Sequence, residues 1–166
     1  MPSKQSGIIL AIDPGFDRVG LAILSEEKSK PTLLYSECIT TNSKHTRDKR
    51  LLTIGTRLDE VIKEWRPTEL AIETLFFNTN TTSAIGVAEA RGVIIFQAAR
   101  AGLKLYEYGP QAVKIAVTGY GKANKDQIES MVKRLVVLPK TLSKRLDDEV
   151  DAIAVGITHL ATRNTI

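Results

Sequence analysis

The stretch that decides the fold lies near the start of the chain and reads Ile8-Ile9-Leu10-Ala11-Ile12-Asp13-Pro14-Gly15. Five consecutive apolar residues followed by a Pro-Gly turn signal predict a strand buried on both faces, at the centre of a sheet. Such a strand delivers the carboxylate of Asp13 at its C-terminal end. Because an ionised carboxylate is costly in a core unless opposite charge meets it, we expect partners for Asp13 elsewhere in the chain.

Composition limits the class of protein. The chain has 166 residues, 43% of them hydrophobic and 25% charged, which predicts a single globular domain over residues 1–166 with residues 1–6 frayed. The net charge of +4 favours a polyanionic partner, although many basic proteins bind none. We find no signal peptide and no apolar run of the roughly 18 residues that a membrane span needs. We therefore expect a cytoplasmic protein with no membrane contact, in which Cys38 is a small buried residue in a reducing compartment.

The periodicity of the apolar residues predicts the first half of the fold. Residues 19–24 and 33–40 form two more strands, each close in sequence to the preceding one and therefore antiparallel to it. An amphipathic helix follows, with apolar residues spaced by three and four, and Pro67 ends it. Residues 70–73 form a short buried strand that, like the first, ends in a carboxylate, that of Glu73.

The second half is mainly helical. Ser83 is the predicted N-cap of a long helix that runs to about residue 101, and a strand follows at residues 103–108. Pro110 opens a short helix, and Asn124 with Gln127 resembles a capping box for a helix to about residue 137. The last helix covers residues 147–162. This order predicts an α/β fold, a mixed five-stranded sheet with helices on both faces.

Four acidic residues occupy positions that suggest a shared site. Asp13 and Glu73 end buried strands, and parallel neighbouring strands would place these ends side by side. Asp148 and Asp151 share a face of the last helix, and so do Asp147 and Asp151, so the pattern leaves the register of the pair open. Four converging carboxylates repel one another unless cations join them, and an all-oxygen site favours Mg²⁺ or Mn²⁺.

Two such ions about 4 Å apart activate a water and stabilise the leaving oxygen of a phosphodiester. The sequence therefore predicts metal-dependent cleavage of a nucleic acid. Each acid taken alone also has a structural interpretation, as a turn former, a surface acid or a negative charge at a helix N-terminus. His45 and His159 are predicted to be surface or packing residues, because no second histidine or cysteine lies at a metal-ligand spacing.

In the order and spacing of short motifs, the chain resembles the bacterial RuvC-type Holliday-junction resolvases from about residue 8 to residue 159. The matching pieces are Ile12-Asp13-Pro14-Gly15, Ile72-Glu73, Leu75-Phe76, Ala90-Arg91-Gly92-Val93, Glu107-Tyr108, Val113-Lys114, Gly121 with Lys125, Asp148-Glu149-Val150-Asp151-Ala152-Ile153-Ala154 and Thr158-His159. The resemblance implies a ribonuclease-H-like fold and a homodimer. It implies Mg²⁺-dependent nicking of two opposite strands of a four-way DNA junction, with a branch-migration helicase complex as partner.

Site residues carry over by matching position. The resemblance implies that the catalytic metal ligands are Asp13, Glu73, Asp148 and Asp151, which favours Asp148 over Asp147. It also implies that Lys114 and Lys125 contact phosphates. Phe76 would stack on a base at the junction centre, where stacking is worth about 1–3 kcal/mol per base.

Three further features refine this expectation. The basic segment 114–145 contains additional lysines that would follow the phosphate backbone, among them Lys122. The helix predicted after Ser83 is apolar on much of its surface and is the candidate interface of a two-fold dimer. The loop at residues 78–80 lacks the basic residue that many family members carry, so the cleavage preference is expected to differ from that of relatives.

Alternative functions remain open at this point. Asp13-Pro14-Gly15 with Gly20 also resembles the first phosphate motif of actin-like and sugar-kinase ATPases, but those need two such domains and this chain has room for one. A non-catalytic module that binds branched nucleic acid would need only the basic face. A relaxed ribonuclease-H-like nuclease would cut duplexes or hybrids as well as junctions.

Overall fold

The computed structural model describes residues 7–27, 30–75, 81–139 and 147–163. Within these ranges the strands and helices follow the predicted order. The strands are β1 (Ile9–Asp13), β2 (Arg18–Glu27), β3 (Lys30–Thr40), β4 (Glu69–Glu73) and β5 (Lys104–Tyr108). The helices are α1 (Arg47–Trp65), α2 (Thr81–Arg100), α3 (Pro110–Thr118), α4 (Lys125–Leu135) and α5 (Asp147–Thr162).

The strands form one five-stranded sheet in the order β3-β2-β1-β4-β5. β1 is the central strand, antiparallel to β2 and parallel to β4, and β4 is parallel to β5. The side chains of Ile9 through Ile12 are fully buried, as the continuous apolar run predicts for a strand covered on both faces.

Helices cover both faces of the sheet. Ala11 packs in a cluster with residues of α3, α4 and α5, whereas Leu10 and Ile12 pack on the opposite face against α1 and α2. This alternation along β1 is the period of two that a strand imposes on its side chains. The mixed sheet with helices on both faces is therefore confirmed. No helix in the described ranges is both long enough and apolar enough to cross a bilayer.

Several local predictions need correction. The β2–β3 hairpin extends to the pair Glu27 and Lys30, beyond the predicted strand ends, because backbone pairing continues where the side chains are polar. Ser83 is not an N-cap, since α2 already begins at Thr81. Cys38 is half-buried rather than buried, because it lies on β3 at the edge of the sheet.

The α4 capping box is confirmed. The side chain of Asn124 accepts a hydrogen bond from the backbone N–H of Gln127, and the Gln127 side chain accepts one from the backbone N–H of Asn124, both at 2.9 Å. The two bonds satisfy N–H groups that a helix start otherwise leaves unpaired. They fix the point at which the loop between α3 and α4 enters α4.

Candidate active site

Two parallel strands bring the first pair of acids together. In the β1–β4 pairing, Ile12 lies opposite Ile72, and each is followed directly by an acid, Asp13 or Glu73. Both carboxylates therefore stand at the carboxyl edge of the sheet, where open α/β sheets place their sites. The connection from β1 to β4 runs through the β2–β3 hairpin and α1, and so supplies the long crossover that a parallel pair requires.

Helix α5 brings the third acid, Asp151, to the same place. α5 crosses β1 and β2 closely, and its first turn lies against Gly20, which pairs with Asp13 across the β1–β2 ladder. A Cβ atom at position 20 would overlap the backbone carbonyl of Asp148. Only glycine leaves room for this close approach, so Gly20 is one reason that α5 reaches the edge of β1.

The acids share one pocket with two lysines. A cavity of about 340 Å³ is lined by side chains of both signs, namely Asp13, Glu73, Asp151, Lys114 and Lys125. Lys114 belongs to α3 and Lys125 is the first residue of α4. A phosphate that entered this cavity would meet the lysines, and a metal ion would meet the oxygen ligands.

The carboxylates in this pocket are poorly compensated. Burial, together with the charges of Glu73, Asp151 and Asp148, raises the pKa of Asp13 from its usual value near 3.8 to about 8, although Lys125 opposes the shift. Burial and Asp151 raise the pKa of Glu73 to about 7, against the opposing charge of Lys114. Burial also raises the pKa of Asp151.

This electrostatic pattern fits a divalent cation. Acids that take up protons to relieve mutual repulsion will exchange those protons for a metal ion, and the ligands are all oxygens, as Mg²⁺ and Mn²⁺ prefer. In the described part of the chain, no three acidic, histidine or cysteine side chains already stand close enough together to hold one ion. The pocket is thus a concentration of negative charge rather than a closed coordination shell.

Asp148 does not line the cavity with the other three acids. Its Oδ2 lies 3.1 Å from Nε of Arg18 and 3.9 Å from Sγ of Cys38, on the β2–β3 side of the site. Its charge nevertheless contributes to raising the pKa of Asp13. Asp147 instead lies 3.7 Å from Nζ of Lys125.

The remaining predicted DNA contacts divide into three groups. Lys114 and Lys125 line the acid pocket, as expected for phosphate-binding residues. Lys122 is exposed in the loop between α3 and α4 and is not part of the pocket wall. Phe76, predicted to stack on a base, lies outside the described residues, as does the loop at residues 78–80.

The two histidines occupy the positions predicted for them, one packed in the interior and one on the surface. His159 is fully buried, and it bonds through Nδ1 to the hydroxyl of Tyr108 and through Nε2 to Glu69, both at 2.7 Å. Burial lowers the pKa of His159, so the imidazole is neutral near pH 7 and donates its Nε2–H to the carboxylate. His45 is exposed. His159 therefore ties α5 to β4 and β5.

Nothing in the sequence indicated that Arg18 pairs with Asp148, one of the predicted site acids. A single arginine in a short polar connection carries no pattern, and its partner is 130 positions away in the chain. The signal that the sequence does contain is indirect, because Arg18 stands at the start of the glycine-containing strand that pairs with β1. Its contact with Asp148 becomes visible only once α5 is placed on the sheet.

A sheet of this order, with acids at the ends of β1 and β4 and on the last helix, defines a ribonuclease-H-like nuclease. The comparisons identify the particular family. The family model described as crossover junction endodeoxyribonuclease RuvC matches residues 9–159. The chain belongs to this family of endodeoxyribonucleases, and the predicted family resemblance is confirmed.

Individual relatives support the assignment. The RuvC protein of Alkaliphilus metalliredigens is 45% identical over 152 residues, covering 92% of each chain. That of Heliobacterium modesticaldum is 43% identical over 150 residues, covering 90% of this chain and 91% of the relative. The solved structure of Thermus thermophilus RuvC matches with a TM-score of 0.85 at 31% identity, covering 95% of this chain and 96% of the other. A second structure shows that protein in complex with a Holliday junction substrate, with a TM-score of 0.86 at 31% identity and 96% of each chain covered.

Proposed function

We propose that this chain resolves four-way DNA junctions by Mg²⁺-dependent hydrolysis of a phosphodiester in each of two opposed strands, with Mn²⁺ as a substitute metal. The observation that carries the proposal is the shared cavity in which Asp13, Glu73 and Asp151 face Lys114 and Lys125. Family membership supports the junction as substrate. We place this activity in the cytoplasm, in recombination and repair, alongside a branch-migration helicase complex.

Each side of the cavity has a separate task. Lys114 and Lys125 bind the phosphates next to the scissile bond and hold the strand against the acids. Asp13, Glu73 and Asp151 hold the metal, and Asp148 completes the ligand set from the first turn of α5. When bound, two ions supply an activated water and stabilise the leaving oxygen. The protein's own contribution is then mainly the positioning of strand and ligands.

The metal also changes the protonation of the pocket. Asp13 and Glu73 have pKa values raised to about 8 and about 7, so near neutral pH a part of the population carries protons on these acids. Carboxylates ligate a metal only when they are deprotonated, and binding the ion therefore releases those protons. The lysines that line the pocket oppose the acid charge and lower the same pKa values.

Paired cutting requires two copies of the site. A four-way junction has two-fold symmetry, and a two-fold dimer presents one acid pocket to each of two opposed strands. The outer face of α2 supports such an interface, because Ile85 and Phe96 are 52% and 63% exposed. The small residues Ala88, Gly92 and Ala99 are exposed on the same helical face.

The decisive experiment is cleavage of a synthetic mobile four-way junction with Mg²⁺, mapped on all four strands. We expect symmetric nicks in two opposed strands, with little cutting of a duplex or an RNA–DNA hybrid at equal concentration. A gel shift without nicks would indicate the non-catalytic binding module. Equal cutting of all three substrates would indicate the relaxed nuclease.

Asp13→Asn tests the acid pocket itself. We expect cleavage to be abolished while junction affinity stays within about twofold, because the substitution removes a metal ligand and leaves Lys114 and Lys125 in place. The variant should be at least as stable as the parent chain in metal-free buffer, since it removes a buried carboxylate that lacks a full partner. Thermal unfolding and gel-shift titration measure these two quantities, and loss of binding together with cleavage would contradict the assignment.

A further inference from the structure

A second cavity adjoins the acid pocket. It has a volume of about 400 Å³ and lies between the end of α3 and the first turns of α4. Ala123 and Asn124 line both cavities, so the two adjoin at the loop that enters α4. The nucleotides next to a phosphate bound in the first cavity are therefore within reach of the second.

The outer wall of this second cavity includes an aromatic ring that is not packed into the core. Tyr120 is 55% exposed, although its backbone is firmly held. Its N–H donates to Oγ1 of Thr118 at 3.1 Å, and its carbonyl oxygen accepts from the N–H of Ala123 at 3.2 Å. Gly119, with φ of 75°, ends α3 in the left-handed region and turns the chain towards Tyr120. The ring is thus presented to solvent from a fixed turn.

The lining selects a nucleobase as the occupant rather than a phosphate. Tyr120 and Met131 supply apolar surface on which a ring can stack, whereas Asp126 would repel an anion. Asp126 can instead accept a hydrogen bond from the amino group at a base edge. The Oε1 atom of Gln127 is used by the capping box, and the NH₂ group of the same amide takes no part in it. Lys122 and Lys125 flank the loop and suit the phosphates on either side of such a base.

We propose that the Tyr120 cavity binds an unstacked base of the DNA strand whose phosphate enters the acid pocket, with Tyr120 as the stacking platform. The inference rests on the proposed function, and it adds a base-binding site to it. The site would supply part of the cleavage preference, because a base with an exocyclic amino group meets the carboxylate of Asp126. Stacking on an aromatic ring contributes to affinity for any base, and the edge contacts then discriminate among bases.

The test uses the full chain carrying Asp13→Asn, so that bound junctions are not cut. 2-Aminopurine is placed at successive positions around the mapped cut, and its fluorescence is recorded as the protein is titrated. We expect a binding-dependent change at one position that is lost in Tyr120→Ala and kept in Tyr120→Phe, because phenylalanine retains the ring. Tyr120→Ala should raise the junction Kd by at least about fivefold, as loss of one stacked base predicts.

Controls separate the possible failures. Leu52→Ala removes an exposed apolar side chain on α1, away from both cavities, and should leave the fluorescence change and the Kd as in the parent. Circular dichroism and thermal unfolding establish that Tyr120→Ala is folded. If Tyr120→Ala bound the junction with the same fluorescence change and Kd as the parent, the base site would be overturned and the proposed function would stand. Absence of junction binding by the parent would overturn the proposed function and the base site with it.

Discussion

Arg18 is the residue whose role is least expected from its place in the chain. It pairs with Asp148 at 3.1 Å, and Asp148 is the one family-matched acid that does not line the pocket. With Asp148 as the proposed fourth metal ligand, the guanidinium would compete with the ion for the same carboxylate. Its positive charge beside the site also opposes the approach of a cation. Both effects act in the same direction, against metal binding.

We therefore expect Arg18→Gln to tighten metal binding to the DNA-free protein. The gain should be at most about fivefold, because a half-exposed ion pair contributes about 0.2–1 kcal/mol. Calorimetric titration with Mn²⁺ measures it without any cleavage step. Arg47→Gln is the matched control, since Arg47 is 53% exposed against 52% for Arg18 and pairs with Glu89 instead of a pocket acid. Weaker metal binding in Arg18→Gln would show that the arginine positions Asp148 for the ion instead of withholding it.

At the scale of elements, the contact between β2 and α5 decides where the acids of the candidate site stand. Two glycines permit it. Gly20 lies on β2 against the first turn of α5, and Gly156 lies in α5 against Leu24 of β2. A Cβ atom at position 156 would meet a methyl group of Leu24, a side chain that can move. A Cβ atom at position 20 would meet the backbone of Asp148, which can yield only if the turn itself shifts.

The two alanine variants should therefore differ in their consequences. We expect both Gly20→Ala and Gly156→Ala to lower the free energy of unfolding by about 1–3 kcal/mol, as overpacking does. Only Gly20→Ala should also lower the cleavage rate, by about a hundredfold, because a displacement near 1 Å in a catalytic constellation costs that much. Denaturant unfolding and single-turnover cleavage measure the two effects. Equal cleavage rates in the two variants would contradict this view of the contact.

Much of the fold follows from local patterns. The apolar runs before Asp13 and Glu73 predict buried strands that each end in an acid, and the structure shows that these two strands are neighbours. Contacts made by the folded chain explain what the patterns could not show. The pairing of Glu27 with Lys30 has no apolar signature. Likewise, the half-buried position of Cys38 depends on which strand lies at the edge of the sheet.

The arrangement of the candidate site was likewise predictable only in part. The meeting of Asp13, Glu73 and Asp151 in one pocket could be predicted because strand ends and helical spacing are local features. The position of Asp148 beside Arg18 depends on how α5 docks, which no local spacing encodes. The partly buried hydrogen bond from His159 to Glu69 likewise joins residues 90 positions apart. The sequence therefore predicts only that His159 is a surface or packing residue.

For the whole molecule, the proposed dimer rests on the outer face of α2. Ile85 and Phe96 lie on one stripe of α2 with small exposed residues between them, a pattern that lets two helices approach closely. A two-fold axis through this stripe would bring each residue near its own copy. An apolar stripe that faces solvent is unfavourable unless a partner covers it, so its presence supports an interface on this face of α2.

A negative charge on this stripe should separate the two copies. We expect Phe96→Asp to weaken dimerisation by at least about a hundredfold, because burying an unpaired carboxylate costs several kcal/mol. Leu52→Asp places the same charge on the exposed face of α1 and should leave the dimer intact. Sedimentation at micromolar concentration measures the assembly, and strand mapping shows whether Phe96→Asp now nicks one strand at a time. If the parent chain is a monomer with and without junction DNA, α2 is not the interface, and paired cutting must then come from two independent binding events.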